Sequence, residues 1–545
     1  MIRKTMIAAL LAGTAFAASP AFAQEQLPET QQEPTEPDAS DATADAAIAS
    51  AAPVDDAQAK IELLEAQVEA LQEALEGIKT QMTATAPTWK GAPLYEDKEA
   101  GWSFKPRGRI QYDAGWVGNP DDEPNGNLLT RNLGFNTRAR RIRLGAEGTI
   151  PGGFGYKFEM DFANGSVGFG DAVLTYAPKD KPFNFTIGNH ETLNGLEQIT
   201  SSRFTSFVER AAFDDAFINT RRIGANVGYV NKAGNLRFNA GLFAAHSIDS
   251  SLDNDGWIGA ARAVYSPLSG ANQLHFGANF QHREFQSNNG STTPSSTGQP
   301  SAGQVARYRA RPFSQLTDVR FVDTGNFAAR GDNIFGLEAA GIFKSLHVAA
   351  EGQYTKVDAY HPGDSFDVDD TLDLFPGSTA GTTTSSFYVA DGNPSFWGGY
   401  IEAGYYLTGE TRGYKNGLWD RTKVLKPFSK DGWGAFQINA RLDYLDLDSG
   451  KLKRGCTNNF TADTLTCTGA GSNSNFTKGG KQLGILGSLV WIPEDYFRVY
   501  LQYSHAAITG GPFADEVEGV SSSAEDLDDT KYGVDAVQTR IQIDF

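Results

Sequence analysis

The last ten residues of this chain, from Ala536 to Phe545, alternate apolar and polar side chains up to a terminal Phe. Successive side chains of a β-strand point to opposite faces, so this segment would present one apolar and one polar face. The apolar set is Val537, Thr539, Ile541, Ile543 and Phe545, and the polar set is Gln538, Arg540, Gln542 and Asp544. A final strand of this kind is typical of a transmembrane β-barrel, with lipid outside and a polar lumen inside.

The N-terminus predicts export from the cytoplasm. Arg3 and Lys4 precede an apolar run from Met6 to Phe16, and Ala21-Phe22-Ala23 has the pattern of a signal-peptide cleavage site. We therefore expect residues 1–23 to be a signal peptide. No later stretch reaches the ~18 uninterrupted apolar residues of a transmembrane helix, so a membrane crossing would have to use strands.

The residues from 87 to 545 have the composition and periodicity of a large barrel. The chain holds 59 Gly and 35 Phe but only 4 Met, which suits many turns and aromatic strands better than a helical core. From Trp102 onward, about sixteen segments alternate with period two, and Phe436 to Tyr444 is a clear example. The predicted fold class is all-β: a sixteen-stranded antiparallel transmembrane β-barrel, with an N-terminal periplasmic coiled-coil segment.

Residues 24–86 divide into two parts with different patterns. Residues 24–56 are rich in Gln, Glu, Pro, Ala and Asp, and they predict a disordered acidic linker. In residues 57–86, apolar side chains recur at alternating spacings of three and four, and Pro87 follows. These positions are Ile61, Leu64, Val68, Leu71, Leu75, Ile78 and Met82. They predict a short oligomerising coiled coil, and the alternative is an amphipathic helix resting on the barrel rim.

Net charge does not exclude an anion channel. The formal charge is -19, and residues 24–86 hold 14 Asp or Glu against 2 Lys, a local charge of -12. Conduction responds to the charge near the pore rather than to the net charge of the chain. The positions of the arginines therefore matter more than the total.

Several sequence strings resemble the phosphate-selective porin family, the outer-membrane porins O and P for phosphate and polyphosphate. They are Gly195-Leu196-Glu197 with TSSRFTSFVERA at 200–211, Arg140-Arg141 with IRLG at 142–145, LTGE at 407–410 with Arg412 and Tyr414-Lys415, GAFQINARLDYLDL at 434–447, and Leu483 to His505. The resemblance covers about Trp102 to Phe545. It implies a sixteen-stranded trimeric barrel in which inward-folded loops and basic residues guide phosphate.

By this resemblance, Arg140 and Arg141 match the arginine pair of an early strand, Lys157 matches a basic position on the next strand, and Arg203 follows the TSS motif. A basic run in the long loop after Arg283 resembles the family's constriction loop. The full set of expected anion-pathway residues is Arg109, Arg140, Arg141, Lys157, Arg203, Arg307, Arg309 and Arg311. One departure is Gln198, because phosphate-specific members place a Lys there.

The residue pattern itself leaves alternatives open for these arginines. Strict alternation cannot place Arg140 and Arg141 on one face unless a bulge or a strand start intervenes. The same run could instead solvate the wall or pair with nearby carboxylates. The i, i+2, i+4 spacing of Arg307, Arg309 and Arg311 predicts a ladder along one side of an extended segment. The alternative for that ladder is an exposed loop that binds lipopolysaccharide phosphates.

The chain contains two cysteines and lacks the common catalytic motifs. Cys456 and Cys467 favour a loop-stabilising disulfide in an exported chain, and a metal site is disfavoured because no His lies nearby. No HExxH, GxSxG or P-loop pattern appears, so we expect no enzyme activity and no cofactor.

The leading functional hypothesis is a trimeric porin of the Gram-negative outer membrane that passes small anions, with phosphate as the first candidate. A second hypothesis is a general or organic-solute channel. A third is an envelope-tethering protein whose coiled coil does the work, with peptidoglycan or another periplasmic contact. The expected partners are small anions, outer-membrane lipid and lipopolysaccharide, and no nucleic acid.

Overall fold

The structure is a computed structural model. It describes residues 54–85, 87–120, 132–163, 165, 167–217, 219–248, 256–268, 270, 272–285, 305–325, 327–359, 390, 392–452, 456–459, 464–467, 478–518 and 524–545. The expected signal peptide and nearly all of the expected linker lie outside the described residues.

Sixteen long strands, numbered here in chain order, form one sheet. They are β1 Trp102–Val117, β2 Gly134–Ile150, β3 Phe154–Asp161, β4 Gly168–Tyr176, β5 Phe183–Glu191, β6 Arg221–Val230, β7 Leu236–Ala244, β8 Gly256–Tyr265, β9 Asn272–Phe285, β10 Phe327–Phe343, β11 Leu346–Ala359, β12 Ser395–Tyr406, β13 Ala435–Asp446, β14 Lys481–Glu494, β15 Phe497–Thr509 and β16 Lys531–Asp544.

Each strand pairs antiparallel with the next one, and β16 pairs with β1 to close the sheet. In that closing pair, Val537 lies opposite Trp116 and Asp544 lies opposite Arg109. Closure leaves no unpaired edge in the sheet, as a membrane barrel requires. The predicted sixteen-stranded antiparallel barrel is confirmed.

The two faces of the strands follow the predicted alternation. In β16, Val537, Ile541 and Ile543 are exposed on the outer face, whereas Gln538 and Arg540 are buried inside. Strand β13 repeats this arrangement, with its apolar side chains outside and its polar side chains inside. The apolar outer surface is therefore the lipid-facing surface, and the polar side chains fill the interior.

The connections differ in length at the two ends of the barrel. Turns such as 151–153, 344–345 and 495–496 are short, while the connections at the opposite end are mostly long. In barrels of this class the short turns face the periplasm and the long loops face outward. We call these ends the short-turn end and the long-loop end.

The remaining elements are short, with one exception. The helices are α1 Val54–Thr85, α2 Leu196–Ile199, α3 Ala212–Phe217, α4 Ala514–Glu518 and α5 Ala524–Asp529, with a 3-10 turn at Phe428–Lys430. The short strands are Thr88–Trp89, Pro93–Asp97, Val305–Ala306, Arg309–Ala310, Val322–Asp323, Gly413–Lys415, Leu418–Asp420, Cys456–Asn459 and Thr464–Cys467. Across the part of the chain that is described, no helix is long and apolar enough to cross a bilayer.

Helix α1 occupies the segment where the heptad pattern predicts a helix, and it is a single helix. Its seam residues Ile61, Leu64, Val68, Leu71 and Leu75 are between 50 % and 68 % exposed. The coiled coil needs partner helices, which one chain does not contain, so it stays a prediction.

The cysteines lie on a small hairpin between β13 and β14. Cys456 and Cys467 are opposite each other in its register. The backbone pairing is compatible with the expected disulfide, which stays a prediction.

Candidate functional site

Three segments turn into the barrel interior. Inner loop A is 192–220, inner loop B is 305–325 and inner loop C is 407–434. Loops A and B enter from the long-loop end, and loop C enters from the short-turn end. Lumen-facing strand residues hold them: Gln502 accepts from the backbone N–H of Val208 at 2.8 Å, and Gln538 donates to the carbonyl oxygen of Phe313 at 2.8 Å.

Loop A is docked on the half of the wall formed by β11 to β15. Glu351 of β11 accepts hydrogen bonds from the backbone N–H groups of Leu196 at 2.6 Å and Glu197 at 2.8 Å. Gly195 makes this approach possible, since a Cβ there would lie 2.5 Å from the Glu351 Oε2 atom, and its φ is +28°.

A buried arginine completes this docking. Arg441 of β13 donates to Glu197 of loop A and to Glu402 of β12. Its guanidinium also lies 4.5 Å from the ring centroid of Phe207 and 4.3 Å from that of Tyr400. Buried charges in proteins are normally paired and hydrogen-bonded in this way, so Arg441 fixes loop A against the wall.

The other half of the interior, lined by β1 to β6, keeps a cavity of about 610 Å³ with loops A and B on its far side. Ten Arg or Lys and six Asp or Glu line it, a formal surplus of four positive charges. The basic residues are Arg107, Arg109, Arg140, Arg141, Arg143, Lys157, Arg203, Arg210, Arg221 and Arg311. A confined surplus of this sign favours anions over cations.

A β-bulge brings two consecutive arginines to this cavity. Gln111 of β1 lies opposite Arg141, and the next residue, Tyr112, lies opposite Ala139, so Arg140 is the extra residue. Strict alternation would have sent one of the two arginines to the lipid face. The sequence allows both arginines to face inward only with a bulge or a strand start, and the structure has the bulge.

Most of the cavity cations are paired with carboxylates. Arg140 makes a two-pronged contact with Glu209 of loop A, at 2.9 and 3.1 Å. Arg143 donates to Asp161 at 2.6 Å and to Glu159 at 2.7 Å. The Arg140 pair binds loop A to the wall, the Arg143 pairs join β2 to β3, and together they place alternating charges along the cavity.

Two cavity arginines differ from the rest. In the described ranges, neither Arg141 nor Arg210 has a carboxylate within the 4.0 Å of an ion pair. Arg141 donates to the side-chain oxygen of Gln111 at 2.8 Å. Arg210 donates to the carbonyl oxygens of Glu197 at 3.0 Å and Thr200 at 2.9 Å. Their positive charge is therefore the least neutralised in the cavity.

Three further residues of the expected set also line this cavity. Arg109 donates to the hydroxyl of Ser202 at 2.5 Å, and Lys157 donates to Asp171. Arg203 donates to the hydroxyl of Ser201 at 3.1 Å. With Arg140, Arg141 and Arg311, six of the eight expected residues are brought together.

The basic run of loop B is divided between two cavities, so the predicted three-residue ladder is not formed. Arg307 and Arg309 line a second cavity of about 430 Å³, and Arg311 lines the first. Within residues 307–311 only Arg309–Ala310 is a strand, and the chain bends at Phe313, whose φ is +55°. Arg307 pairs with Asp323 at 2.6 Å, which turns it away from Arg311.

Gln198 lies where the family's phosphate-specific members have a Lys, and it faces the first cavity. Its amide donates to Glu191 at 3.1 Å. The departure from the family pattern therefore lies in the cavity itself.

Two carboxyl groups of loop A have shifted pKa values. Burial alone would raise the pKa of Glu209, but Arg140 and Arg540 hold it well below its usual range. Burial, reinforced by the neighbouring carboxylate of Glu197, raises the pKa of Asp214 well above its usual range. Both oxygens of Asp214 are buried without a hydrogen-bond partner within the described structure.

Sequence reasoning left out four cavity cations: Arg107, Arg143, Arg210 and Arg221. Arg143 belongs to the same basic run as Arg141, and Arg210 lies inside the string at 200–211, so the residue pattern contained a signal for these two. Arg221 starts β6 and donates to Asp171 at 2.5 Å, a partner that local sequence does not indicate.

No cluster of three or more His, Cys, Asp or Glu that could hold a metal ion occurs among the residues that the structure describes. The charged groups of the interior are instead arranged as ion pairs and hydrogen bonds around a cavity. Such an arrangement can bind and pass a solute.

The comparisons with known proteins agree with this architecture. The family model of phosphate-selective porin O and P matches residues 104–516. An uncharacterised protein of Caulobacter vibrioides is 34 % identical over 77 % of this chain and 72 % of its own length. Porin O of Pseudomonas aeruginosa is 27 % identical over 68 % of this chain and 76 % of its own length.

Solved porin structures align with most of this chain at low sequence identity and with low TM-scores. An anion-selective porin from Comamonas acidovorans aligns with a TM-score of 0.41 and 12 % identity, over 82 % of this chain and 100 % of that one. OprB of Pseudomonas putida aligns with a TM-score of 0.42 and 10 % identity, over 82 % and 95 %.

The family match covers most of the barrel, and with it the strands and inner loops that build the cavity. Family and fold together indicate a channel rather than an enzyme, located in the outer membrane of a Gram-negative bacterium. This chain belongs to the phosphate-selective porin O and P family.

Proposed function

We propose that this porin passes small anions, and phosphate in particular, through the cavity between β1–β6 and loops A and B. The observation that carries the proposal is the surplus of four positive charges lining that cavity. An anion that enters a narrow pore loses hydration, and Arg donors replace the lost hydrogen bonds. The planar fork of Arg suits phosphate oxygens. No chemical step is involved.

Arg141 and Arg210 are the strongest candidates for direct contact with the anion. Each is bonded to neutral oxygens, so an arriving anion does not have to displace a carboxylate. The ion-paired residues contribute to the positive electrostatic potential of the cavity without direct contact with the anion. They are Arg109, Arg140, Lys157, Arg203 and Arg311. Arg307 and Arg309 would attract anions at the second cavity, nearer the long-loop end.

A general or organic-solute channel is the second candidate function. Six carboxylates line the same cavity, and Gln198 replaces an expected cation. Under this alternative the arginines organise the loops through ion pairs and select weakly among solutes. An envelope tether built on α1 is the third candidate.

We also propose that the protein is a homotrimer. The support is the family resemblance and the exposed apolar seam of α1, which gains burial only when other helices cover it. Contact of α1 with peptidoglycan or another periplasmic partner, contact of the outer loops with lipopolysaccharide, and a disulfide between Cys456 and Cys467 belong to the same proposal.

The decisive test is single-channel recording of the purified protein in planar bilayers. The reversal potential in a chloride gradient gives the selectivity, and phosphate titrated against chloride gives the block. We expect anion selectivity and a chloride current blocked by phosphate. Equal permeability of anions and cations without phosphate block would instead support the general channel.

The matched variants are Arg141→Gln and Lys356→Gln. Both remove one positive charge, but Lys356 is exposed on the outer face of β11. Arg141→Gln should reduce phosphate block by about tenfold, the size of one charge-assisted hydrogen bond. Lys356→Gln should leave it unchanged. Equal behaviour of the two variants would contradict a role for Arg141 as an anion contact.

Deletion of residues 24–86 separates the tether from the channel. Conductance and phosphate block should survive in the deleted protein. Loss of an envelope phenotype with intact conductance would favour the tether.

A further inference from the structure

Loop C does more than enter the lumen, because part of it lies on the outside of the barrel. The 3-10 turn Phe428–Lys430 packs over the short-turn end of β14, where the Phe428 and Trp491 rings are 5.4 Å apart. Trp491 continues the row of lipid-facing residues of β14 and donates to the carbonyl oxygen of Trp433 at 2.9 Å. The turn therefore extends the lipid-facing surface at this end.

The outer part of loop C, residues 423–433, combines apolar and basic side chains; we call it the shelf. Leu425, Phe428 and Trp433 are 60 %, 48 % and 77 % exposed. Lys423, Lys426 and Lys430 are exposed beside them. Aromatic and basic side chains together are typical of the boundary between a bilayer core and its headgroups.

The shelf is held in a defined shape. The N–H of Gly434 donates to the carbonyl oxygen of Lys426 at 2.8 Å, which closes the loop on itself. The N–H of Ser429 donates to Glu494 at 2.5 Å, and the N–H of Val424 donates to Asp495 at 2.8 Å. Glu494 is engaged by the loop backbone, so Asp431 is the one carboxylate on the shelf itself.

We propose that the shelf binds the headgroup of an anionic phospholipid in the periplasmic leaflet of the outer membrane. The acyl chains would lie along the lipid-facing row that ends at Trp491, and the lysines would contact the phosphodiester. Charge complementarity and continuity with the lipid-facing surface favour this occupant. The inference does not depend on the anion selectivity of the pore, because the shelf lies on the other side of the wall.

Native mass spectrometry of the full-length protein tests the proposal, after reconstitution in nanodiscs of phosphatidylethanolamine with a minor share of phosphatidylglycerol. The measured quantity is the enrichment of phosphatidylglycerol among retained lipids. The test variant is Lys426→Gln with Lys430→Gln. The matched control is Lys179→Gln with Lys181→Gln, which removes the same charge from the exposed turn 177–182 at the same end of the barrel.

The shelf variant should lose enrichment by about fivefold for each lysine removed, the contribution of one basic side chain near an anionic surface. The control should keep it. An equal loss in both proteins would show a general charge effect and overturn the site. No loss in either would also overturn it, as expected if a neighbouring subunit covers the shelf. Single-channel conductance of both variants should match the unmodified protein, which shows that the barrel is intact.

Discussion

The two halves of the barrel interior have the same strand pattern but differ in whether an inner loop covers them. In both halves polar side chains alternate inward, yet β1 to β6 border a cavity while β11 to β15 are covered by loop A. Lumen-facing residues of β14 and β15 bond directly to that loop: Ser488 donates to the carbonyl oxygen of Ser206 at 2.7 Å, and Gln502 accepts from the N–H of Val208 at 2.8 Å. A polar inner face therefore does not by itself make a wall part of a passage. The position of the inner loop decides this.

The largest expected effect comes from the removal of a buried charge in the half covered by loop A. Arg441→Met would leave Glu197 and Glu402 buried without their shared cation. We expect a loss of about 3–5 kcal/mol in the free energy of unfolding, or failure to fold. Urea unfolding in lipid vesicles measures it. In Arg107→Met the freed partner is Glu147, whose side chain is 38 % exposed, so the expected loss is about 0–1 kcal/mol. Equal losses would remove the distinction between the two halves.

The second prediction concerns the contacts by which loop C supports loop A. Arg412 of loop C donates to the carbonyl oxygen of Phe204 at 2.9 Å and to the hydroxyl of Ser206, and it lies 4.3 Å from the Trp419 ring centroid. Arg412→Met removes hydrogen bonds worth about 1.5–3 kcal/mol each, because the donor is charged. Loop A should loosen, and single-channel recordings should show larger and noisier current.

The control for this variant is Arg237→Met. Arg237 makes an exposed contact with Asn416 of loop C at 3.3 Å and none with loop A among the described residues. Steady current in both variants would mean that loop A needs no support from loop C.

The third prediction concerns the half of the interior that borders the cavity. Gln198→Lys adds a positive charge to the cavity lining, at the position where the family pattern expects one. Phosphate block of the chloride current should become about tenfold tighter, the gain of one charge-assisted hydrogen bond. Gln198→Met has a similar length without charge and should give no gain. A gain in the Met variant would point to altered loop shape instead.

The smallest expected effect is a pH dependence of selectivity. Burial and the neighbouring Glu197 raise the pKa of Asp214, so its neutral form persists to higher pH than that of an ordinary carboxyl. As pH rises through that pKa, the cavity gains a negative charge, and the preference for anions should fall by about twofold. Reversal potentials across pH measure it.

Asp214→Asn stays neutral at every pH and should remove this dependence. Asp180→Asn in the exposed turn 177–182 should retain it, since that carboxyl lies outside the cavity lining. A pH dependence that persists in Asp214→Asn would assign the effect to another group.

The sequence predicted the barrel well because period-two alternation is a local property. In β16, Val537, Ile541 and Ile543 of the apolar set are exposed, and the polar set, Gln538, Arg540, Gln542 and Asp544, is buried. The need for a bulge at Arg140 and Arg141 could also be stated from spacing alone, since two neighbours on one strand cannot otherwise share a face.

The inner loops could not be predicted in the same way, since contacts distant in sequence fix them. Glu351 binds the start of loop A from 155 residues away, and no local pattern indicates that pairing. Arg311 leaves the predicted ladder because its partner is Asp215 of loop A, at 3.2 Å. The entry of loop C from the short-turn end was likewise not indicated by its composition.

The extra residue in β2 also gives one short stretch of strand two separate tasks. Lumen-facing side chains on a regular strand recur every two residues, about 6.6–6.8 Å apart. Arg140 and Arg141 occupy neighbouring positions on β2, and both line the same cavity. Arg140 is held by Glu209 of loop A, whereas Arg141 donates to the neutral side-chain oxygen of Gln111, so the bulge places a loop anchor and a differently bonded arginine side by side. Deletion of Arg140 would restore the regular register and remove this anchor of loop A, while Arg141 would stay opposite Gln111.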